Sequence, residues 1–127
     1  MPILDMSFEQ GIFTAREVGT VDGNDARKWA EALHRCTRAS ATPVVILVDA
    51  THATTISAEA RRIFAQASET PNVRIAAIAC GNLRVTQQSR IAALMGSVRS
   101  THQTHFFNTF EEAEQFANEH AAPAYSG

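Results

Sequence analysis

Residues 44–64 read VVILVDATHATTISAEARRIF, and this stretch decides the fold. Its first residues are β-branched or aliphatic without interruption, which predicts a strand that is covered on both faces and ends at Asp49. The polar residues 51–55 predict a loop, and Ser57 is placed to cap the helix that follows, because its hydroxyl can accept a hydrogen bond from an early backbone amide. A strand, a loop and a helix in this order are typical of α/β proteins with parallel sheets.

The flanking segments continue this alternation. Two short segments separated by Gly11 predict an opening hairpin, and apolar residues recur at helical spacing after Asp22. Farther along, residues 73–80 predict a second buried strand, and residues 83–95 predict a helix that Gly96 caps. The predicted fold class is α/β with the order β-β-α-β-α-β-α-β-α, a mostly parallel five-stranded sheet with one antiparallel edge strand.

One face of the predicted sheet needs a cover. If the strands advance in one direction, all right-handed crossover helices lie on the same face. Residues 44–48 and 73–80 are nevertheless apolar throughout, which is typical of strands buried on both faces. Either the strand order reverses and places helices on both faces, or a second copy of the chain covers the open face.

The composition limits the size, the compartment and the partners. With 127 residues, 45% of them hydrophobic, the chain is long enough for one core, and we predict a single domain over residues 1–120 and a loose tail over residues 121–127. A net charge of -2 gives no basic excess to displace counterions, so nucleic acid is not a predicted partner. No apolar run approaches the roughly 20 residues of a transmembrane segment, and the N-terminus lacks the basic start of a signal peptide, so we expect a cytoplasmic protein. Cys36 and Cys80 are expected to be free thiols.

Polar residues follow two neighbouring strands of the predicted sheet. Because the carboxyl ends of parallel strands meet at one edge, these residues are expected to lie close together. They are Asp49, Thr51, Gly81, Asn82 and Arg84. Helix amides and an arginine at such an edge favour a small anionic ligand. The alternative is that Asp49 and Thr51 only cap the loop backbone, and that Arg84 is solvated or pairs with Asp49 or with the acidic helix at residues 111–119.

Patterns for catalysis and metal binding are weak. Asp49 near His52 is an acid/base arrangement, because a carboxylate can orient an imidazole, yet no serine or cysteine nucleophile lies at a recognisable spacing. His102 and His105 lie on one predicted strand at an odd spacing, which places them on opposite faces. We therefore predict no enzymatic activity, no metal and no cofactor.

Three segments carry a resemblance to a known family. They are VVILVDATHATTISAEARRIFAQA, VRIAAIACGN and, after a further helix, HFFNTFEEAEQFANEH. In this order they resemble the SpoIIAA-like STAS domains, which have the fold of anti-sigma-factor antagonists, over residues 8–120. The resemblance implies a regulatory adaptor that binds partner proteins through the loop and the helix after the central strand. It also implies a switch, since many such domains are phosphorylated on a serine at that helix start.

The position that this family phosphorylates is altered here. The family's Asp-Ser pair falls on Ser57 and Ala58, and a following glycine falls on Ala60, so the acceptor serine is missing. A phosphate at a helix start gains from the backbone amides, and Ser57 is a hydroxyl one residue away. The alternative role of Ser57 is that of the helix N-cap alone.

The resemblance and the lack of a catalytic set together predict a binding function. We expect a non-enzymatic STAS-like domain that binds another protein, or a second copy of itself as a homodimer, through residues 51–55 and the helix at residues 57–68. The predicted partner-binding residues are Thr51, His52, Thr54, Thr55, Ser57, Arg61 and Arg62. The alternative function is binding of an anionic metabolite or a lipid at the strand ends.

Overall fold

The computed structural model describes residues 3–97 and 99–121 and contains nine elements in the predicted order. The strands are β1 (Ile3–Glu9), β2 (Ile12–Val21), β3 (Val44–Ile56), β4 (Val73–Cys80) and β5 (Gln103–Phe107). The helices are α1 (Gly23–Ala39), α2 (Ala58–Ala67), α3 (Leu83–Gly96) and α4 (Phe110–His120). The predicted loose tail lies outside the described residues, apart from residue 121.

The five strands form one sheet in the order β1-β2-β3-β4-β5. β1 pairs antiparallel with β2 at one edge, and all other neighbours are parallel. This arrangement confirms the predicted fold class and places β3 in the centre. Cys36 and Cys80 are free thiols, as predicted. None of the helices within the described residues has both the length and the apolar character that crossing a bilayer requires.

The prediction of a loop over residues 51–55 was wrong, because β3 continues to Ile56. Beyond Asp49, β3 stays paired with β2, from Val18 opposite His52 to Val21 opposite Ile56, across two register shifts. Threonine is β-branched and suits a strand. Bulges allow two strands of unequal local length to stay paired. Asp49 therefore lies within the central strand, seven residues before its end.

Helices α1, α2 and α3 cover one face of the sheet, here called the helical face. Trp29 of α1 lies at the centre of this layer, with its ring 5.8 Å from that of Phe13 on β2 and 5.4 Å from that of Phe64 on α2. α1 begins at a capping box, in which Asp22 accepts a hydrogen bond from the Asp25 amide and Asp25 accepts one from the Asp22 amide. Two aromatic contacts and this cap fix α1 against β2 and α2.

The second face of the sheet is covered by α4. Ala113 and Ala117 are fully buried against the apolar side chains of β3 and β4. The strands follow one another across the sheet in sequence order. The sequence had left two explanations for the second buried face, a reversed strand order and a second copy of the chain, and neither of them included α4. α4 follows the last strand and does not have to return to a further one, so the handedness of crossover connections does not fix its face.

Gly96 was predicted as the C-cap of α3, but it is the last helical residue and Ser97 is the cap. Gly96 packs directly against the end of α2. A Cβ at this position would collide with Ser68 Oγ and lie 2.7 Å from the Ala65 carbonyl oxygen. The glycine is needed for close helix packing, which sequence periodicity does not show.

A larger side chain at Ala113 tests the packing of α4. Ala113→Leu should lower the free energy of unfolding by about 1–3 kcal/mol, because there is no space between α4 and the sheet. Gln115→Leu is the matched control, since Gln115 is exposed on the same helix, and it should change stability by less than about 0.5 kcal/mol. Urea unfolding measures both. Equal stability of the two variants would contradict the placement of α4.

Candidate functional site

The predicted ligand residues on β3 form a closed hydrogen-bond cluster. Asp49 Oδ1 accepts from the Thr51 amide at 3.0 Å and from Thr51 Oγ1 at 2.6 Å. Thr51 Oγ1 is also 3.1 Å from His52 Nδ1, so the hydroxyl lies between the carboxylate and the imidazole. The predicted acid/base pair is thus linked through Thr51, and Asp49 turns the chain at this point of the strand.

The end of β4 lies directly beside this cluster. Ala50 on β3 pairs with Cys80, the last residue of β4. A Cβ at the next residue, Gly81, would collide with the backbone carbonyl of Thr51, so only glycine permits this approach. Asn82 then caps α3 by accepting from the Val85 amide at 2.9 Å, and its Nδ2 donates to the carbonyl of Ala53 at 3.0 Å.

Four of the five predicted ligand residues are therefore neighbours, namely Asp49, Thr51, Gly81 and Asn82. Their polar groups are bound to each other and to the backbone, as in the capping alternative. Arg84 is exposed in the first turn of α3, and within residues 3–97 and 99–121 it makes no ion pair with Asp49. Ligand binding at this edge stays a prediction.

The predicted partner-binding residues divide into half-buried and exposed members. Ser57 is the N-cap of α2 and accepts from the Ala60 amide at 3.1 Å. The guanidinium of Arg61 turns back toward the sheet and donates to the carbonyl of Ile56 at 2.8 Å. Thr55 is held by Gln88 of α3 through hydrogen bonds of 3.0 and 3.3 Å. Their side chains serve the local fold.

The remaining predicted partner-binding residues lie on two different elements. His52, Thr54 and Arg62 are exposed, and Thr51 is half-buried in the cluster on β3. His52 and Thr54 belong to β3, whereas Arg62 lies on the outer side of α2. The structure therefore does not bring all predicted partner-binding residues together into one exposed patch.

α3 has an apolar outer face, here called the α3 stripe. Leu83, Ile91, Leu94 and Met95 are 71%, 48%, 72% and 51% exposed. The buried positions of the same helix are small or polar by comparison, namely Val85, Ser89, Ala92 and Gly96. Large apolar side chains thus face outward and small ones inward. The sequence shows that these apolar residues lie on one face of a helix, but this spacing ordinarily predicts a buried face.

Arginines outnumber carboxylates beside the α3 stripe. Arg62 of α2 and Arg99 line one surface groove together with Met95 and one acid, Glu69, and Arg84 and Arg90 are exposed on α3 itself. Residues 73–110 contain no aspartate or glutamate. The local positive charge that the sequence indicated is therefore arranged around an exposed apolar surface.

Glu17 is a buried carboxyl that sequence reasoning missed. It lies on β2, faces α1 and is only 5% exposed. Burial, and secondarily the negative charge of Asp49, raises the pKa of Glu17 from 4.5 to about 7. The signal was available, because Glu17 continues the alternation of Phe13 and Ala15, two inward-facing residues of the same strand.

Comparisons with known proteins support the fold alone. No family model matches the chain, and no curated protein matches it. Among solved structures, the chain is similar to an uncharacterised protein of the DUF3478 family with a SpoIIAA-like fold from Shewanella loihica PV-4. The TM-score is 0.62 with 17% sequence identity, over 91% of this chain and 93% of that one. The chain has a SpoIIAA-like fold, which confirms the fold that the resemblance implied.

The pH dependence of the free energy of unfolding tests whether the Glu17 carboxyl is protonated in the folded chain. Between pH 4.5 and 7 the folded chain holds a proton at Glu17 that the unfolded chain has released. The stability from this protonation is fully present below pH 4.5 and is lost as the pH rises through 7. Relative to Glu17→Gln, the unfolding free energy of the wild type should fall by about 3 kcal/mol over this range.

Urea unfolding from pH 4 to pH 8 measures this difference. Burial lowers the pKa of His102, which changes stability in the opposite direction, so only the difference between the two proteins isolates Glu17. Glu9→Gln, at an exposed position of β1, is the control and should follow the wild type. Parallel curves for the wild type and Glu17→Gln would contradict a buried, protonated carboxyl.

Proposed function

We propose that this chain is a non-enzymatic STAS-like interaction domain that binds an acidic amphipathic helix of a partner protein. The α3 stripe carries the proposal. Four of the six exposed large apolar residues within the described part of the chain lie on this one helix. Single exposed apolar residues are ordinary, whereas several on the outer face of one helix are typical of an interaction surface.

The charge around the stripe determines the kind of partner. Arg62 and Arg99 border it at the groove between α2 and the end of α3, and Arg84 and Arg90 lie along α3. A partner helix with apolar residues at positions i, i+3, i+4 and i+7 covers the stripe. Glutamates of the partner beside those positions face the arginines of this chain. This charge complementarity favours an acidic partner over a basic one.

This surface adjoins the one that the STAS resemblance implied. Arg62 belongs to both, and Gln88 of α3 is hydrogen-bonded to the Ile56 amide at the end of β3. The contact surface in our proposal is centred on α3 rather than on residues 51–55, because those residues are paired in the sheet. Modification of Ser57 and binding at the strand ends stay predictions without a comparable observation.

A designed peptide tests the proposed surface. The probe is a fluorescently labelled helical peptide with leucine at i, i+3, i+4 and i+7 and glutamate elsewhere on the same side. Fluorescence anisotropy should detect binding that weakens with salt, whereas a version with lysine in place of glutamate should not bind. Leu94→Gln combined with Met95→Gln should raise the Kd by about tenfold or more.

Two controls make the result specific. Met6→Gln removes an equally apolar side chain that is 38% exposed on β1, far from α3 in the sheet order, and should leave the Kd unchanged. Arg62→Glu with Arg99→Glu should weaken binding, and Arg61 is left intact because it supports the fold. Equal binding of both peptides would exclude an acidic partner. Sedimentation that shows self-association lost in Leu94→Gln would instead identify a second copy of the chain.

A further inference from the structure

The two edges of the sheet differ in how they are built. Within the described part of the chain, β1 and β5 each have one neighbouring strand, so each leaves a row of backbone N–H and C=O groups that can pair with a strand of another chain. The edge at β1 is protected against such pairing. Its register shifts between Leu4 and Ser7, and Asp5 within the shift has a φ of 53° and forms an ion pair with Arg16 at 3.2 Å.

The edge at β5 has neither of these protections. β5 pairs with β4 without a register shift, from Gln103 opposite Ile75 to Phe107 opposite Ala79. Its sequence is QTHFF, which contains no proline, aspartate, glutamate, lysine or arginine. Bulges, prolines and charged side chains are the usual means by which proteins block an edge strand. The edge at β5 is therefore the one that can accept a further strand.

An open groove of about 820 Å³ lies between β5 and α3, here called the β5 groove. Residues 100–106, which include most of β5, line it together with Arg90, Ala93 and Leu94 of α3. Its volume is within the range of about 300–1,000 Å³ that is typical of binding pockets. α3 packs mainly on α2 and β3, so a segment of another chain can reach β5 from solvent.

The β5 groove is positively charged. Arg74 of β4 and Arg90 of α3 line it, and both are exposed and form no ion pair within the described residues. The guanidinium of Arg90 lies 5.3 Å from the ring centre of Phe106, so a cation–π contact holds this charge beside β5. None of the described residues that line the groove is an aspartate or a glutamate. Charge complementarity therefore favours an acidic occupant.

The two faces of β5 have different surroundings. Phe106 lies on the helical face, where Arg90 is, whereas the rings of His105 and Phe107 lie 4.8 and 5.1 Å from that of Phe116 on α4. A strand added beside β5 continues both faces, because its side chains also alternate between them. Acidic residues on one face then meet arginines, and apolar residues on the other meet an aromatic cluster. The β5 groove thus favours a segment in which acidic and apolar residues alternate.

We propose that an extended acidic segment of a partner protein binds in the β5 groove as a further strand beside β5, with its glutamates toward Arg74 and Arg90. Backbone hydrogen bonds supply the affinity of such a strand, and the alternate side chains supply its specificity. A second copy of the chain fits less well, because pairing of β5 with its own copy places the arginines of both copies at one interface. This binding goes beyond the proposed helix-binding function and does not depend on it, since the free edge of β5 is not part of the α3 stripe.

Labelled peptides test the strand pairing by fluorescence anisotropy with the full chain. The parent peptide alternates glutamate and valine over about eight residues, an ordinary strand length. Two derivatives carry N-methyl groups, one on all valines and the other on all glutamates. The N–H groups of alternate residues point to the same edge of a strand, so one derivative should lose at least about tenfold in affinity and the other should bind as the parent does. A peptide of the same composition without the alternation should bind about tenfold more weakly than the parent.

Variants of the chain locate the bound peptide. Arg74→Glu combined with Arg90→Glu should raise the Kd of the parent peptide about tenfold. Arg35→Glu combined with Arg38→Glu is the matched control, since it changes the net charge equally at exposed positions of α1, and it should raise the Kd by less than about threefold. Met95→Gln changes the α3 stripe outside the β5 groove and should leave this Kd unchanged, which separates strand binding from helix binding.

Amide hydrogen exchange gives a direct readout of the edge. Amides of β5 should exchange more slowly when the parent peptide is bound, and those of β1 should not change. Equal affinity of the parent and both N-methylated peptides would overturn the proposal, and so would unchanged exchange in β5 or an equal effect of the two double arginine variants. Slower exchange in β5 at high protein concentration without peptide would assign the edge to a second copy of the chain and would also overturn it.

Discussion

The parallel pairing of β2 with β3 over nearly the whole of β2 is the constraint on which the other features depend. It runs from Ile12 opposite Val45 to Val21 opposite Ile56, and the Ser57 amide extends it by donating to the carbonyl of Val21 at 2.9 Å. The two strands therefore end together, and both are followed immediately by helices, α1 and α2. The same pairing determines which residues of β2 face the helices, and Glu17 is one of them.

The sequence predicted the order of elements and the fold class because strand and helix patterns alternate clearly and parallel strands need crossover helices. Two features were missed for physical reasons. Residues 51–55 are polar, and polarity alone suggested a loop, although pairing with β2 holds them in the sheet. The cover of the second face was missed because the packing of Ala113 and Ala117 on β3 and β4 is a long-range contact, which helical spacing does not reveal.

The candidate sites divide in a similar way. The proximity of Asp49 to Gly81 followed from parallel strands, and the structure adds that their surroundings are already hydrogen-bonded. Glu17 was recoverable from the alternation along β2, but its burial depends on the helices that pack on this face, which no local pattern includes. The sequence could not show that the apolar residues of α3 face solvent. Periodicity predicts that they lie on one face of the helix, but it does not show which face packs on the sheet.

The unusual distribution of side chains on α3 accounts both for a cavity of about 70 Å³ between this helix and the sheet and for the α3 stripe. Ser89, Ala92 and Ala93 are small, and all three line the cavity, so the space beneath α3 exists because its inner face lacks large side chains. The large apolar residues of the helix, Leu83 and Leu94 among them, are on the outside. A helix with the ordinary distribution would have filled the cavity and presented a polar face to water. One arrangement of residues therefore leaves both an internal cavity and an apolar surface without a cover, and a protein partner on that surface would lie next to the groove between α3 and β5.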